Sequence, residues 1–173
     1  MIRQATAGDA DTVADVYVSS FRTLDFLPRV HGDDETRTWI RDTVLPTHEV
    51  WVAEEDGRIV GMAALSGDVL EQLYVAPDAQ GRGVGDALFA RAKERRPDGF
   101  SFWVFQANER ARRFYERRGC RLVRLTDGSG NEERTPDALY EWRQEGVTCR
   151  PGGGWPGRVQ SGRLRRRAGA SAT

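Results

Sequence analysis

Three β-prone runs lie between residues 49 and 75, separated by very short turns. The first two, Glu49 to Glu54 and Arg58 to Leu65, flank Asp56-Gly57, a dipeptide typical of tight hairpin turns. Ser66-Gly67-Asp68 then leads into the third run, Val69 to Val75. Turns this short join antiparallel neighbours, because a parallel connection needs a dozen or more residues. The sequence therefore predicts a three-stranded antiparallel meander near the middle of the chain.

Helices and further strands are predicted on both sides of this meander. A short strand at Ile2 to Ala5 precedes apolar residues at helical spacing through residues 10–21. A second helix is predicted to begin at Asp33 or Asp34 and to stop at Pro46. After residue 76 the predicted elements are a helix from Val84 up to Pro97, a strand at Phe100 to Phe105, a helix from Asn108 to Gly119, and strands at Cys120 to Leu125 and Ala138 to Trp142. This order predicts an α/β fold of the α+β type, with helices on the faces of a mixed sheet.

Composition limits the classes of protein that the chain can represent. Acidic and basic residues balance at 26 each, so the chain lacks the overall positive field typical of nucleic-acid-binding proteins. No apolar run approaches the roughly 18 residues that a membrane helix needs, and the N-terminus lacks the apolar stretch of a signal peptide. Two cysteines, Cys120 and Cys149, make neither a disulfide framework nor a zinc cluster. We therefore expect a cytoplasmic protein without a membrane segment or a bound metal.

The C-terminal segment differs from the rest of the chain. Residues 144–173 contain six arginines and a single acidic residue, Glu145, and are rich in glycine and proline. We expect this segment to be largely disordered, because it cannot bury enough apolar surface to offset the entropy lost on ordering. The basic run from Arg163 to Arg167 is suited to nucleic acid or an acidic partner, although a solvated tail is the simpler interpretation. The sequence predicts one domain, residues 1–143, followed by this tail.

A glycine-rich turn lies between the meander and the helix that follows it, with the sequence Gln80-Gly81-Arg82-Gly83-Val84-Gly85. Glycines let a backbone approach a phosphate closely, and a helix N-terminus adds about half a positive charge. The turn is not a P-loop, because no Lys-Ser/Thr pair follows the glycines. It does not complete the dinucleotide-binding fingerprint either. A phosphate site and a merely flexible turn both remain open at this point.

Two segments together resemble a known enzyme family. Residues 73–85, Leu-Tyr-Val-Ala-Pro-Asp-Ala-Gln-Gly-Arg-Gly-Val-Gly, are similar to the acetyl-CoA-binding signature of the GNAT N-acetyltransferases. In that signature a Pro-containing turn is followed by Q/R-x-x-G-x-G/A, and Gln80, Gly83 and Gly85 occupy the fixed positions. Residues 108–120 resemble the family's N-x-x-A-x-x-F-Y-x-x-x-G-F segment, with Cys120 at the final aromatic position. The resemblance covers residues 1–143.

The resemblance implies a fold and a cosubstrate. It implies a mostly antiparallel sheet of about seven strands and about four helices, splayed between strands 4 and 5. The pantetheine arm of acetyl-CoA would lie in that gap, and backbone N–H groups of the glycine turn would hold the pyrophosphate. Arg82 would add a charge-assisted bond. The residues implied in cofactor binding are Leu73, Tyr74, Val75, Gln80, Gly81, Arg82, Gly83, Val84, Gly85, Asp86 and Asn108.

The resemblance also implies catalytic residues. Tyr115 matches the family's general acid, which would protonate the leaving CoA thiolate, although a core tyrosine would satisfy the same spacing. The family's glutamate base, on the strand before the asparagine, is Trp103 here and does not carry over. Two-residue alternation places Glu71 on the face of Leu73 and Val75, where a carboxylate could act as the base. His31 and a water chain remain alternatives.

The implied reaction moves an acetyl group from the CoA thioester to a primary amine of a small molecule, a peptide or a protein N-terminus. The long polar loop from Asp127 to Asp137 contains Glu132 and Glu133, which with Glu71 would favour a cationic amine, although a solvated acidic loop fits the sequence equally well. Trp39, Trp51, Trp103 and Phe26 are candidates for an apolar acceptor pocket, with core packing as the alternative. A different class of function is also compatible: a catalytically silent acyl-CoA sensor. A homodimer is compatible with the sequence, and nucleic acid is not an expected partner.

Overall fold

A computed structural model describes residues 1–144. It contains one seven-stranded sheet in the order β1-β2-β3-β4-β5-β7-β6. The strands are β1 (Ile2–Gln4), β2 (Glu49–Glu55), β3 (Arg58–Ser66), β4 (Val69–Val75), β5 (Phe100–Phe105), β6 (Arg121–Leu125) and β7 (Asp137–Trp142). The predicted fold class is confirmed. The tail assigned to residues 144–173 lies outside the described residues except for its first residue.

Helices cover both faces of this sheet. They are α1 (Ala10–Phe21), α2 (Asp33–Trp39), α3 (Leu45–Thr47), α4 (Val84–Arg95) and α5 (Glu109–Glu116). The Tyr74 ring packs 4.7 Å from that of Tyr17 in α1, whereas the adjacent Val75 side chain lies next to Gly85 of α4. Successive strand residues face opposite sides, so α1 and α4 lie on opposite faces. No helix of the described part is long and apolar enough to cross a membrane.

The meander forms as predicted, because its turn residues adopt the required backbone angles. Asp56 and Gly57 both have positive φ, 50° and 75°, as the tight hairpin turn between β2 and β3 demands. Strands β2, β3 and β4 then pair antiparallel along most of their length.

The sheet opens between its fourth and fifth strands, as predicted. Strands β4 and β5 are parallel and share one paired position, Val69 with Ser101. Beyond that pair the strands separate, and β5 pairs instead with β7 over its whole length. Within residues 1–144, the C-terminal half of β4 therefore has no strand neighbour on its β5 side, where a cleft opens.

A β-bulge interrupts β4 and corrects one prediction. Leu70 pairs with Leu65 and Gln72 pairs with Ala64, which leaves Glu71 as an extra residue. A bulge breaks the alternation of side chains between the two faces of a sheet. The two-residue alternation that placed Glu71 with Leu73 and Val75 therefore does not carry through this residue.

The helix that contains Pro46 also differs from expectation. A π-helical turn, Ile40–Val44, continues α2 into α3, so the helical stretch runs past the proline to Thr47. Proline removes one backbone donor and its ring clashes with the carbonyl one turn earlier. A wider π turn just upstream relieves that clash, since Leu45 bonds to the carbonyl of Ile40, five residues back.

Candidate active site

A groove of about 860 Å³ opens where β4 and β5 separate. Its walls come from the end of β4, the glycine turn, the start of α4 and the exposed side of α5. Among its lining residues are eight of the predicted site residues, namely Leu73, Tyr74, Val75, Gln80, Gly81, Gly83, Gly85 and Asp86. Asn108 and Tyr115 line it as well. The fold thus brings most of the predicted site residues together around one concave surface.

Main-chain groups of β4 face this groove at alternate residues. The Ala76 N–H bonds to the Val60 carbonyl of β3, and alternation in an antiparallel ladder then directs the main chain of Tyr74 toward β3. The main-chain groups of Leu73 and Val75 accordingly point toward the groove. The Val75 carbonyl accepts a bond from Gln80 Nε2 at 3.1 Å, which ties the strand end to the glycine turn.

The glycine turn presents backbone donors at the N-terminus of α4. Gly81 and Gly83 have φ values of 78° and 84°, which L-residues with side chains rarely adopt. Gly83 is the N-cap and supplies no side-chain cap, so the first N–H groups of α4 have no intrahelical partner. These donors point out of the helix end, where an anion is also favoured by the helix dipole.

Two of the predicted cofactor residues have side chains that do not line the groove. Arg82 forms an ion pair with Glu55 at 2.9 Å, beside the β2–β3 hairpin. The Val84 side chain is buried against Gly61, where any larger residue would clash with it. Only the backbone of Val84 is placed to contribute to the groove.

Asn108 and Tyr115 occupy the α5 wall. Asn108 Oδ1 accepts a bond from the Ala111 N–H at 3.1 Å, as an N-cap should, and its amide nitrogen is a remaining donor. Tyr115 is 7% exposed and packs 4.2 Å, ring to ring, from Phe102. Burial is the main cause that raises the pKa of the Tyr115 phenol well above its usual value. The neighbouring Cys120 and Tyr74 raise this pKa further. The phenol therefore keeps its proton through the working pH range.

A smaller cleft of about 70 Å³ joins Glu71 and Tyr115. Leu73, Tyr74 and Asn108 line both this cleft and the larger groove, so the two share part of their walls. The Glu71 carboxylate contacts His48 Nε2 at 2.8 Å, and both side chains are almost buried. His48 had no predicted role, because it lies 23 residues earlier in the sequence and no motif includes it.

A second cavity, of about 320 Å³, lies between α1, the α1–α2 connection and the β6–β7 loop. Tyr17 and Glu133 line it, and Leu24 lines both this cavity and the groove. The Tyr17 and Tyr74 rings pack against each other, and burial raises the pKa of both phenols. The nearby charge of Glu133 raises both pKa values further. The cavity adjoins the groove, and its lining contains acidic side chains (Asp25, Asp33 and Glu133) as well as basic ones (Arg22, Arg29 and His31).

His31 connects the two loops at the mouth of this pocket. Its Nδ1 lies 3.1 Å from Glu35 and its Nε2 lies 3.0 Å from Glu132. The β6–β7 loop is held in shape by Asn131, whose amide donates to the Thr135 carbonyl at 2.6 Å. Sequence reasoning noted the acidic loop but missed Asn131, a residue that is common in surface loops and gave no signal.

The aromatic residues suggested for the acceptor site divide between several environments. Trp39 is buried in the core, edge-on to Tyr17. Trp51 lies beneath Arg91 on the α4 face. Trp103 lines the small cleft and Phe26 lines the large groove. Within residues 1–144, no cluster of His, Cys, Asp and Glu side chains is arranged to hold a metal ion.

Comparison with known proteins finds a matching family model and similar N-acetyltransferases. Residues 46–119 match the family model described as an acetyltransferase (GNAT) domain. An uncharacterized N-acetyltransferase of Archaeoglobus fulgidus is 31% identical over 146 residues, which cover 76% of this chain and 99% of that protein. The peptidyl-lysine N-acetyltransferase YiaC of Escherichia coli is 29% identical over 143 residues, 82% of this chain and 96% of YiaC.

Solved structures agree with the sequence relatives. The solution structure of apo YjaB from Escherichia coli has a TM-score of 0.67 and 26% identity, covering 82% of this chain and 95% of YjaB. The structure of yncA from Salmonella typhimurium, solved with acetyl-CoA, has a TM-score of 0.64 and 22% identity. It covers 87% of this chain and 98% of yncA. With its two motifs, split sheet and full-length relatives, the chain belongs to the GNAT family of N-acetyltransferases.

Proposed function

We propose that this protein transfers an acetyl group from acetyl-CoA directly to a cationic primary amine, with Glu71 as general base and Tyr115 as general acid. One observation carries the proposal. The glycine turn, the end of β4 and Tyr115 all line the groove at the split between β4 and β5.

The cosubstrate is proposed to lie along this groove. The pyrophosphate lies at the N–H groups of Val84, Gly85 and Asp86, where the helix dipole adds to the attraction. The pantetheine arm adds to β4 as an extra strand would, through the main-chain groups of Leu73 and the second lone pair of the Val75 carbonyl, which also accepts from Gln80. The Asn108 amide donates to the same arm, since its carbonyl oxygen is already engaged by the helix.

The chemistry needs a proton acceptor, an oxyanion donor and a proton donor. An ordinary amine has a pKa near 10.4, so neutralising it at pH 7 costs roughly 4–5 kcal/mol. Glu71 takes that proton, and the neutral nitrogen attacks the thioester carbonyl. The Val75 N–H stabilises the resulting oxyanion. The C–S bond then breaks, and Tyr115 donates to the thiolate from the other end of the small cleft.

The acceptor is proposed to enter through the 320 Å³ cavity and to be recognised as a cation. Glu133 lines this cavity and is only 6% exposed. A carboxylate held away from water attracts an ammonium group more strongly than an exposed one does. YiaC and YjaB, both similar to this chain, carry the name peptidyl-lysine N-acetyltransferase. We therefore include the lysine side chain of a peptide among the acceptors, beside small amines and protein N-termini.

The first experiment measures release of the CoA thiol against a panel of amines. The panel contains lysine peptides, N-terminal peptides, polyamines, aminoglycosides and amino acids. We expect amine-dependent turnover that falls at least tenfold in Tyr115→Phe, because a positioned acid contributes about 10²–10⁴ in rate and water replaces part of it. Turnover unchanged by Tyr115→Phe would remove this residue from the chemistry. Tight acetyl-CoA binding without turnover on any acceptor would contradict the proposed activity.

Gly83→Ala is expected to weaken acetyl-CoA binding, with Gly57→Ala as its matched control. Both glycines have positive φ, 84° and 75°, and neither has an atom within 4 Å of an added Cβ. Each substitution therefore carries a similar backbone cost of about 1–2 kcal/mol. At Gly83 an alanine is expected to relieve this strain by rotating the backbone that presents the phosphate donors. Gly57 lies in the β2–β3 hairpin, so the same rotation there leaves the donors in place. Calorimetric titration should show weaker binding for Gly83→Ala alone. Equal affinity in both variants would contradict the phosphate site.

A further inference from the structure

Glu71 is held by a chain of hydrogen bonds that begins in the π-helical turn. Thr47 Oγ1 donates to the Thr43 carbonyl at 2.5 Å and contacts His48 Nδ1 at 2.8 Å. His48 Nε2 contacts Glu71 Oε2, also at 2.8 Å. The side chains of His48 and Glu71 are 12% and 11% exposed, so the contact between them is largely shielded from water.

The hydrogens in this chain can be assigned by elimination. A carbonyl oxygen only accepts, so the single hydroxyl hydrogen of Thr47 goes to Thr43. Thr47 Oγ1 must then accept from His48, which places a hydrogen on Nδ1. The Nε2 contact with Glu71 requires one further hydrogen, on the imidazole or on the carboxyl group. In this geometry His48 and Glu71 hold one proton between them.

We propose that His48 is a positioning residue for Glu71 and that the two side chains act as one base, sharing the proton removed from the acceptor amine. The inference rests on the proposed function, in which Glu71 is that base. The active form is the pair without the shared proton: a neutral imidazole with hydrogen on Nδ1, facing a carboxylate. Nε2 then steadies the proton that the carboxylate accepts, much as an orienting group steadies a general base.

The proton balance follows from the net reaction. The ammonium group gives one proton to the pair, and the N–C bond forms as the amine attacks. The C–S bond then breaks, and the phenol of Tyr115 gives its proton to the thiolate. The attacking nitrogen, which has one proton too many for an amide, returns a proton to Tyr115. The pair releases its proton to water before the next cycle. No oxidant, reductant or further reactant is needed.

Within residues 1–144, other titratable side chains lie near the pair. Tyr74 and Tyr115 line the same cleft, and burial raises the pKa of both phenols. Glu49 follows His48 in the chain, but its carboxylate pairs with Arg96 at 3.0 Å, and with Arg95. These neighbouring groups are therefore not expected to replace the pair as the proton acceptor.

The test compares the pH dependence of kcat in His48→Gln, Glu71→Gln, Thr47→Val and wild type, with one saturating amine. In His48→Gln we expect kcat to fall about tenfold. The acid limb of its kcat–pH profile should differ from that of wild type, because the imidazole that shares the proton is gone. Thr47→Val keeps both members and should change kcat less. Glu94→Gln, an exposed residue paired with Arg91, is the matched control and should leave the profile unchanged.

Nitrogen-15 spectra give an independent readout, since the chain has only two histidines. Above the acid limb, His48 should carry its hydrogen on Nδ1, and this signal should change in Thr47→Val. A hydrogen on Nε2 instead would overturn the proposal. So would a wild-type acid limb in folded His48→Gln, while an inactive Glu71→Gln would still support Glu71 as base. Full activity in Glu71→Gln would overturn the base assignment itself and this inference with it.

Discussion

Glu71→Gln is expected to lower kcat by about 10²–10⁴ while leaving acetyl-CoA affinity close to wild type. Glutamine keeps the shape of glutamate and can still contact His48, but it cannot accept the proton of an ammonium group. Because Glu71 lies in the small cleft rather than at the glycine turn, its replacement should not disturb the phosphate donors. The loss should therefore appear in turnover rather than in cosubstrate binding.

The measurement combines steady-state kinetics with calorimetric titration of acetyl-CoA. Raising the pH should restore part of the lost activity, since a growing fraction of the amine is then already neutral. A loss that stays constant up to pH 10 would point to a structural role. Retained turnover at pH 7 would contradict the base assignment and favour His31 or a water chain.

Local signals in the sequence explain why most of the fold was predictable. Asp56-Gly57 permits a tight hairpin, and Gly81 and Gly83 permit the turn before α4. These residues have positive φ, and Asp-Gly pairs and single glycines adopt positive φ more readily than most residue types do. The prediction that the second helix stops at Pro46 was wrong, because the rule that proline ends a helix assumes a regular α-helix before it. The preceding π turn relieves the clash that a regular α-helix would suffer, and no residue pattern announces such a turn.

The predicted residues that line the groove belong to the two motifs, whereas other contacts of the candidate site join segments that are distant in the sequence. The groove follows from residues 73–86 and from α5, which the motifs cover. The bulge at Glu71 breaks the alternation of side chains along β4. His48, which contacts the Glu71 carboxylate, comes from the end of α3. Glu133 and Tyr17 line the same cavity although more than one hundred residues separate them in the sequence. Such contacts depend on the tertiary fold, so residue spacing alone does not reveal them.

Glu133→Gln is expected to lower kcat/KM for cationic amines by about 10–100-fold, because a hydrogen bond to a charged group contributes about 1.5–3 kcal/mol. The effect should lie mainly in the KM of the amine. Glu133 lines the acceptor cavity and not the groove proposed for acetyl-CoA, so the KM of acetyl-CoA should stay constant. Initial rates with each substrate varied in turn separate the two constants.

The size of this effect should depend on the charge of the acceptor, which separates recognition from folding. A poorly basic amine is largely neutral at pH 7 and gains little from a carboxylate. For such an amine, kcat/KM of the Glu133→Gln variant should therefore be close to that of wild type. Damage to the β6–β7 loop would lower kcat/KM for both kinds of amine and would also lower the melting temperature. Asn131→Ala supplies that comparison, because Asn131 holds the loop through Thr135 and Asp137. An equal loss on charged and neutral acceptors in a well-folded Glu133→Gln would show that the carboxylate shapes the loop and does not bind the ammonium group.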